Sequence, residues 1–227
     1  APRLSARTRT PEPLCRLAPA GAARGAARGA VCPARGAMRA ARRGQAIVVS
    51  PFTLAGAMAP VTLAGAIAQQ NAEGLAAIAL LQQVRAGTPV VYGAFTSNVD
   101  MKSGAPAFGT PEYVRAMQMS GQMARRYGLP LRASNANAAN APDAQAMWES
   151  VMSLHGSLSG HANMIYHAAG WMEGGLSASF EKFVIDCEVL QQFLYANRPI
   201  SIGQDDLALD AIAEVGPFGH FFGADHT

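Results

Sequence analysis

Four times along this chain a short run of β-favouring residues passes through a loop into a longer helical segment, and that alternation constrains the fold more than any other feature. The first unit begins at Gln45 to Ser50 (QAIVVS) and continues into an alanine-rich segment ending at Arg85, with Leu63, Ile67, Leu75, Ile78 and Leu81 along it. Gly87-Thr88-Pro89 stops it, because a glycine followed by a proline cannot extend a helix. The second unit leads from Val90 to Tyr92 and Phe95 through a polar loop, Thr96 to Gly109, into a helix over Pro111 to Tyr127. Thr110 is its cap, Pro111 has its fixed φ where a first turn tolerates it, and Glu112 faces the positive end of the dipole. Leu129 to Ser134 opens the third unit, with Asn140 as cap, Pro142 in the first turn, and Met147, Trp148, Val151, Leu154 and Leu158 at helical spacing. The fourth runs from Ala162 to His167, through the loop Ala168 to Ser179, into a helix expected to gather Phe180, Phe183, Val184, Cys187, Leu190 and Leu194 on one face.

Such alternation implies right-handed βαβ units and a parallel sheet. In the last three units polar residues crowd between the strand and the helix, as they do where chemistry collects at strand carboxyl ends. Alanine-rich helices and the lack of a G-x-G-x-x-G run after any strand favour a barrel over a dinucleotide fold. A complete (β/α)8 barrel takes about 250 residues and eight strands. The expectation is therefore an α/β fold, a partial TIM (β/α)8 barrel amounting to roughly its C-terminal half, with the missing half upstream. Alanine and glycine dominate the apolar half of the composition and large aromatics are few, which predicts close helix-on-sheet packing.

The net charge of +3 averages two unlike segments. Residues 1–44 carry ten of the 18 basic residues and one acid, Glu12. That segment is rich in Ala, Arg, Gly and Pro, shows no lasting periodicity and offers no aromatic ring to stack on a base, so it is expected to be a disordered tail that binds no nucleic acid, outside the natural fold rather than a basic docking arm. Residues 45–227 are expected to be the barrel domain. No stretch reaches the roughly 18 apolar residues of a membrane span and no signal peptide is visible, which points to a cytoplasmic protein without membrane or nucleic-acid partners. Cys15, Cys32 and Cys187 are too few and too widely spaced for a disulfide framework or a Cys-x-x-Cys zinc site.

The runs PVTLAGAIAQQNAEGLA, GTPVVYGAFTSNVDMKSGAPAFGTPEY, RYGLPLRASNANAANAPDAQA and HAAGWMEGGLSASFEKFVIDCE resemble the trimethylamine:corrinoid methyltransferase family, in family order, over Ser50 to Thr227. Nothing before Gln45 carries the resemblance. It implies a TIM-barrel methyltransferase of one-carbon metabolism, methanogenesis included, that moves a methyl group from a methylated amine to the cobalt of a partner corrinoid protein. It further implies that this chain binds no cofactor itself and that its substrate is a small amine such as glycine betaine or trimethylamine. Archaeal trimethylamine enzymes carry pyrrolysine, and none is written here, so the resemblance is to the glycine-betaine-methyltransferase-like members. Homo-oligomer formation is left open.

Chemistry points the same way. A quaternary nitrogen is already charged and leaves as a neutral tertiary amine, so the protein has only to hold a cation, aim one methyl group and exclude water. Aromatic faces hold such cations. Tyr92, Phe95, Tyr166 and Trp171 lie at or just past strand ends as candidate cage walls. His167 and Glu173 flank Trp171 and are the candidate catalytic groups. Asn98, Asp100, Lys102, Asn135 and Asn137 supply polar groups from neighbouring loops to fix a substrate carboxylate or the corrinoid edge. Several have a plainer role: Tyr92 and Tyr166 as packing residues, His167 as a hydrogen-bonded core histidine, Glu173 as a surface carboxylate, Lys102 as a partner for Asp100. His155, His161 and His167 match no zinc spacing, and no metal site is expected. The alternatives are a truncated, non-catalytic fragment with unpaired sheet edges, or a metal-dependent (β/α) enzyme of another class.

Overall fold

The structure, a computed structural model, describes residues 27–227. In chain order its elements are α1 (Ala27–Arg42), β1 (Ile47–Val49), β2 (Leu54–Ala55), α2 (Leu63–Val84), β3 (Val90–Gly93), β4 (Ser97–Val99), β5 (Pro106–Ala107), α3 (Pro111–Arg126), β6 (Leu131–Ser134), α4 (Ala144–Ser159), β7 (Met164–Tyr166), β8 (Trp171–Met172), β9 (Ser177–Ala178), α5 (Phe180–Ala196), α6 (Gln204–Leu207) and α7 (Leu209–Val215). The main sheet has the order β1-β3-β6-β7, every pair is parallel, and the strands stand side by side in chain order. The four predicted units are thus present. Among the described residues this sheet does not close on itself.

Because side chains alternate across a strand, the register sorts the sheet into two faces. Ile47 pairs with Val90, Val49 with Tyr92, Tyr92 with Leu131, and Ala133 with Ile165. This row meets the helices: Tyr92, Leu131 and Ala133 join Ile67, Tyr113, Ala116, Met117 and Ala124 in one buried cluster, and Ile47, Val49 and Val90 join Leu81 in a second. The opposite row carries Val48, Val91, Gly93, Arg132, Ser134, Met164 and Tyr166. Consecutive helices pack on one another, α1 on α2, α2 on α3 and α3 on α4. The predicted closeness is visible where α3 meets the end of α4: a Cβ on Gly121 would stand 2.0 Å from the Gly160 carbonyl oxygen, so only a glycine fits.

Three expectations need correction. The stretch expected to be disordered includes α1, whose Ala37 and Ala41 are buried with Ile47, Leu81 and Val90 while Arg35, Arg39 and Arg42 are exposed. Its buried face is made of small residues one turn apart, too slight a pattern to stand out among ten arginines, and Arg39 and Arg42 sit favourably in the last turn. The part of that expectation falling on residues 1–26 lies outside the described residues. Helix α4 starts later than expected, because the Asp143 carboxylate, not Asn140, accepts the backbone N–H groups of Gln145 (3.0 Å) and Ala146 (3.1 Å). Trp148 is then 62% exposed. Finally, α5 turns inward Lys182, Asp186 and Val189 rather than its phenylalanines, and Phe180 is 90% exposed.

The chain divides into two compact units, the first ending at Val189 and the second comprising Leu190 to Thr227. In the second, Asp206 holds the start of α6 by accepting the Gly203 N–H at 2.8 Å and the Ser201 hydroxyl, and Ala211 of α7 is buried. No described helix is long and apolar enough to cross a membrane.

Candidate active site at the carboxyl edge of the sheet

Phe95, two residues past β3, is the hub of a ring cluster drawn from the ends of several strands. Phe52, after β1, lies 5.1 Å from it between centroids, Phe108 5.3 Å, His167 6.3 Å and Trp171 6.4 Å. Phe108 also meets Trp171 at 5.7 Å. His167 stacks on Trp171 at 4.9 Å with the planes 25° apart, so one face of the indole is covered by imidazole. The Arg132 guanidinium lies 4.6 Å from the Tyr166 ring centroid and 5.2 Å from that of Phe95. Arg132 is buried in β6 on the same sheet face as Tyr166, and its Nη1 donates to the Ser50 hydroxyl at 3.2 Å.

Of the expected cage walls, Phe95, Tyr166 and Trp171 are brought together with His167, and Tyr92 is not. Register puts Tyr92 on the helix side, where its hydroxyl donates to Asn71 Oδ1 at 3.1 Å and its ring meets Tyr127 at 6.2 Å. Burial pushes the Tyr92 phenol upward against the opposing hydrogen bond from Gln70. It packs the core.

The first expected polar loop folds onto itself. Strand β4 pairs antiparallel with β5 and parallel with β2, which makes an ordered hairpin of Thr96 to Gly109. Asn98 Oδ1 accepts the hydroxyl of Thr110 at 2.8 Å, behind the cap of α3. Asp100 accepts the backbone N–H groups of Lys102 and Ser103, both at 3.1 Å, and the Ser103 hydroxyl at 2.5 Å. These bonds, the hydroxyl's first, hold its carboxyl below the usual range although it is fully exposed. Lys102 contributes its backbone N–H to Asp100 and its side chain is exposed at the tip. Asn98, Asp100 and Lys102 therefore build the hairpin. Its far end is fixed by Gly109, with φ of 69° and Glu149 Cα 2.5 Å from where a Cβ would stand.

The loop after β7 is held from outside. His167 and Glu173 have φ of 54° and 51°, a region that costs a residue with a Cβ about 1–3 kcal/mol and persists only where surroundings enforce it. The Glu173 N–H donates to the Ala139 carbonyl at 3.1 Å and the Gly174 N–H to that of Asn137 at 2.8 Å. Asn135 and Asn137 are wholly buried: Asn135 Nδ2 donates to the Ala168 carbonyl at 2.9 Å, and both amides reach the Ser150 hydroxyl at 3.2 Å. They steady the loop rather than line the ring cluster. The neighbouring chain segment is anchored by Glu149, which accepts the N–H groups of Ala138 (2.7 Å) and Ala139 (2.9 Å). His155 and His161 are exposed, and among the described residues no three His, Cys, Asp or Glu side chains gather to hold a metal ion.

Sequence reasoning passed over Arg132, Phe52, Phe108 and the buried pair Lys182–Asp186. A lone arginine in the strand LRAS, and a lysine and an aspartate four residues apart in one helix, were the available signals.

The chain is similar to known proteins over most of its length. The family model described as trimethylamine methyltransferase (MTTB) matches residues 31–227, which extends the likeness upstream of Gln45 into α1. A glycine betaine methyltransferase of Desulfitobacterium hafniense is 39% identical over 191 residues, 84% of this chain and 40% of that protein. A proline betaine:corrinoid methyltransferase of Eubacterium limosum is 34% identical over 181 residues, 78% of this chain and 37% of that protein. The trimethylamine methyltransferase MttB1 of Methanosarcina acetivorans is 34% identical over 192 residues, 84% and 38% of the two chains. The chain thus spans about 40% of the length of these relatives.

Proposed function

The chain belongs to the trimethylamine methyltransferase family, and we propose that it contributes to the demethylation of a carboxylate-bearing quaternary amine such as glycine betaine, with the methyl group passing to a partner's corrinoid. The observation that carries this reading is the cluster around Phe95, in which aromatic rings and one buried guanidinium share the carboxyl edge of a parallel sheet. Side-by-side parallel strands in chain order, with helices layered on one another, support reading them as part of a (β/α)8 barrel, whose chemistry lies at that edge.

The similar proteins set the substrate class: the names of two of them give glycine betaine and proline betaine, each a quaternary ammonium that bears a carboxylate. The walls formed by Trp171, His167 and Phe95 would meet the ammonium of such a molecule. Methyl transfer then breaks one C–N bond, and the electron pair remains on nitrogen, which departs as a neutral tertiary amine. The partner's corrinoid supplies the nucleophilic cobalt for that transfer. No proton moves, so His167 and Glu173 serve to orient the ammonium and to set the field around it, and the rings exclude water.

Calorimetric titration tests this. Glycine betaine should bind, and Phe95→Leu, which removes the ring at the centre of the cluster, should weaken that binding by about tenfold. Unchanged binding in a folded Phe95→Leu variant would contradict the reading.

A further inference from the structure

We infer that the buried Lys182–Asp186 pair is a positioning device: it fixes the backbone between His167 and Trp171 and thereby the stack those two rings make. The Lys182 ammonium stands 2.5 and 2.6 Å from the two Asp186 carboxylate oxygens, with both side chains wholly buried. From this pair Asp186 Oδ2 accepts the Gly170 N–H at 2.8 Å. On its other side Lys182 donates to the Ser150 hydroxyl at 2.6 Å, which also meets the Asn135 amide that holds the Ala168 carbonyl. Two of the three residues between His167 and Trp171 are therefore gripped by α4, α5 and the end of β6.

An ion pair is a poor choice for stability alone. The cost of taking both charges out of water offsets most of their attraction, and a well-packed apolar pair of similar volume does as well or better. What an apolar pair cannot do is accept an N–H at a defined point. The loop needs that, because His167 and Gly170, with φ of 54° and 80°, must both hold left-handed conformations for the imidazole to face the indole. The consequence for catalysis rests on reading this loop as the amine site, but the arrangement can be tested without any ligand.

In the 227-residue chain with the exposed Trp148 replaced (Trp148→Phe), Trp171 is the remaining tryptophan of two. Acrylamide quenching of its emission and the thermal midpoint are measured in this background, in Asp186→Asn, and in the double variant Lys182→Met/Asp186→Leu. The double variant should keep its midpoint within about 4 °C. Its Trp171 quenching constant should nevertheless rise about threefold as the loop loosens. Asp186→Asn keeps an acceptor for Gly170 but strands the lysine charge, so it should lower the midpoint and leave native-state quenching near that of the background. Unchanged quenching in a folded double variant overturns the inference. Loss of the fold in the double variant overturns it equally, since the pair would then be a stability element. Neither outcome depends on whether the loop binds an amine.

Discussion

The loops that follow β3 and β7 are both polar, glycine-bearing and a dozen or so residues long, yet they solve the backbone problem in opposite ways. The hairpin after β3 bonds mainly within itself: Asp100 bonds its own turn, Asn98 meets Thr110, and β4 and β5 pair with each other, with β2 alongside β4 at the outer edge. The loop after β7 borrows its anchors from α4, α5 and the segment after β6, and in return places His167 and Glu173 in strained conformations. A self-satisfied loop can be built without reference to a ligand. A loop held rigid from outside, with rings at its ends, is how a scaffold presents a preorganised site, and the difference teaches where to look when polar residues alone point everywhere.

That contrast can be broken at defined points. The largest effect is expected at the hinge of the first loop, where Gly109→Ala would drive a Cβ to 2.5 Å from Glu149 Cα at a positive φ. We expect a loss of about 3 kcal/mol or more in urea-denaturation stability, clash and strain combined. Next, Trp171→Ala should weaken binding of a quaternary amine by one to two orders of magnitude, corresponding to about 2 kcal/mol or more for a desolvated cation–π contact, with little change of fold. Equilibrium binding and thermal melting on the same preparation separate the two; a large drop in melting temperature with unchanged binding would make Trp171 a packing residue.

A finer test compares two replacements at one position. His167→Gly and His167→Ala both remove the imidazole stack, but only glycine is at ease at φ of 54°, so the glycine variant should be the more stable by about 1 kcal/mol. Equal stabilities would show that the backbone relaxes and that the loop is not held as described. The smallest effect is expected at the hairpin tip. Asp100→Ala loosens an exposed turn and should leave amine binding within about twofold of the parent, since surface substitutions remote from a site act weakly.

Much of this was legible in the chain itself, and the exceptions have physical causes. Helix α3 was readable because Thr110-Pro111-Glu112 encodes a cap, a fixed φ and a dipole partner in three consecutive residues, and Thr110 does accept from the Tyr113 N–H at 3.3 Å. Four parallel units were readable from the alternation. Less visible was which way each residue faces: Tyr92 and Gly93 are neighbours on opposite sheet faces, so a one-residue difference separates core from site. Helix α5 misled for the opposite reason. Its phenylalanines form the apolar stripe, but Lys182 and Asp186 satisfy each other, Ser150 and Gly170, and a fully bonded ionic group can occupy the inside where a stripe would be expected. Helix α1 escaped notice because alanines carry little hydrophobic weight, even when they are the residues buried.

The central claim is that the ring cluster after β3 and β7 receives the ammonium end of the substrate. Nuclear magnetic resonance on the chain with glycine betaine labelled with carbon-13 in its methyl groups tests it most directly. The account predicts an upfield ring-current shift of the bound methyl resonance and intermolecular Overhauser contacts to the indole protons of Trp171, both lost in Trp171→Ala. Saturable binding with no contact to Trp171, or methyl contacts only to the exposed Trp148, would contradict it.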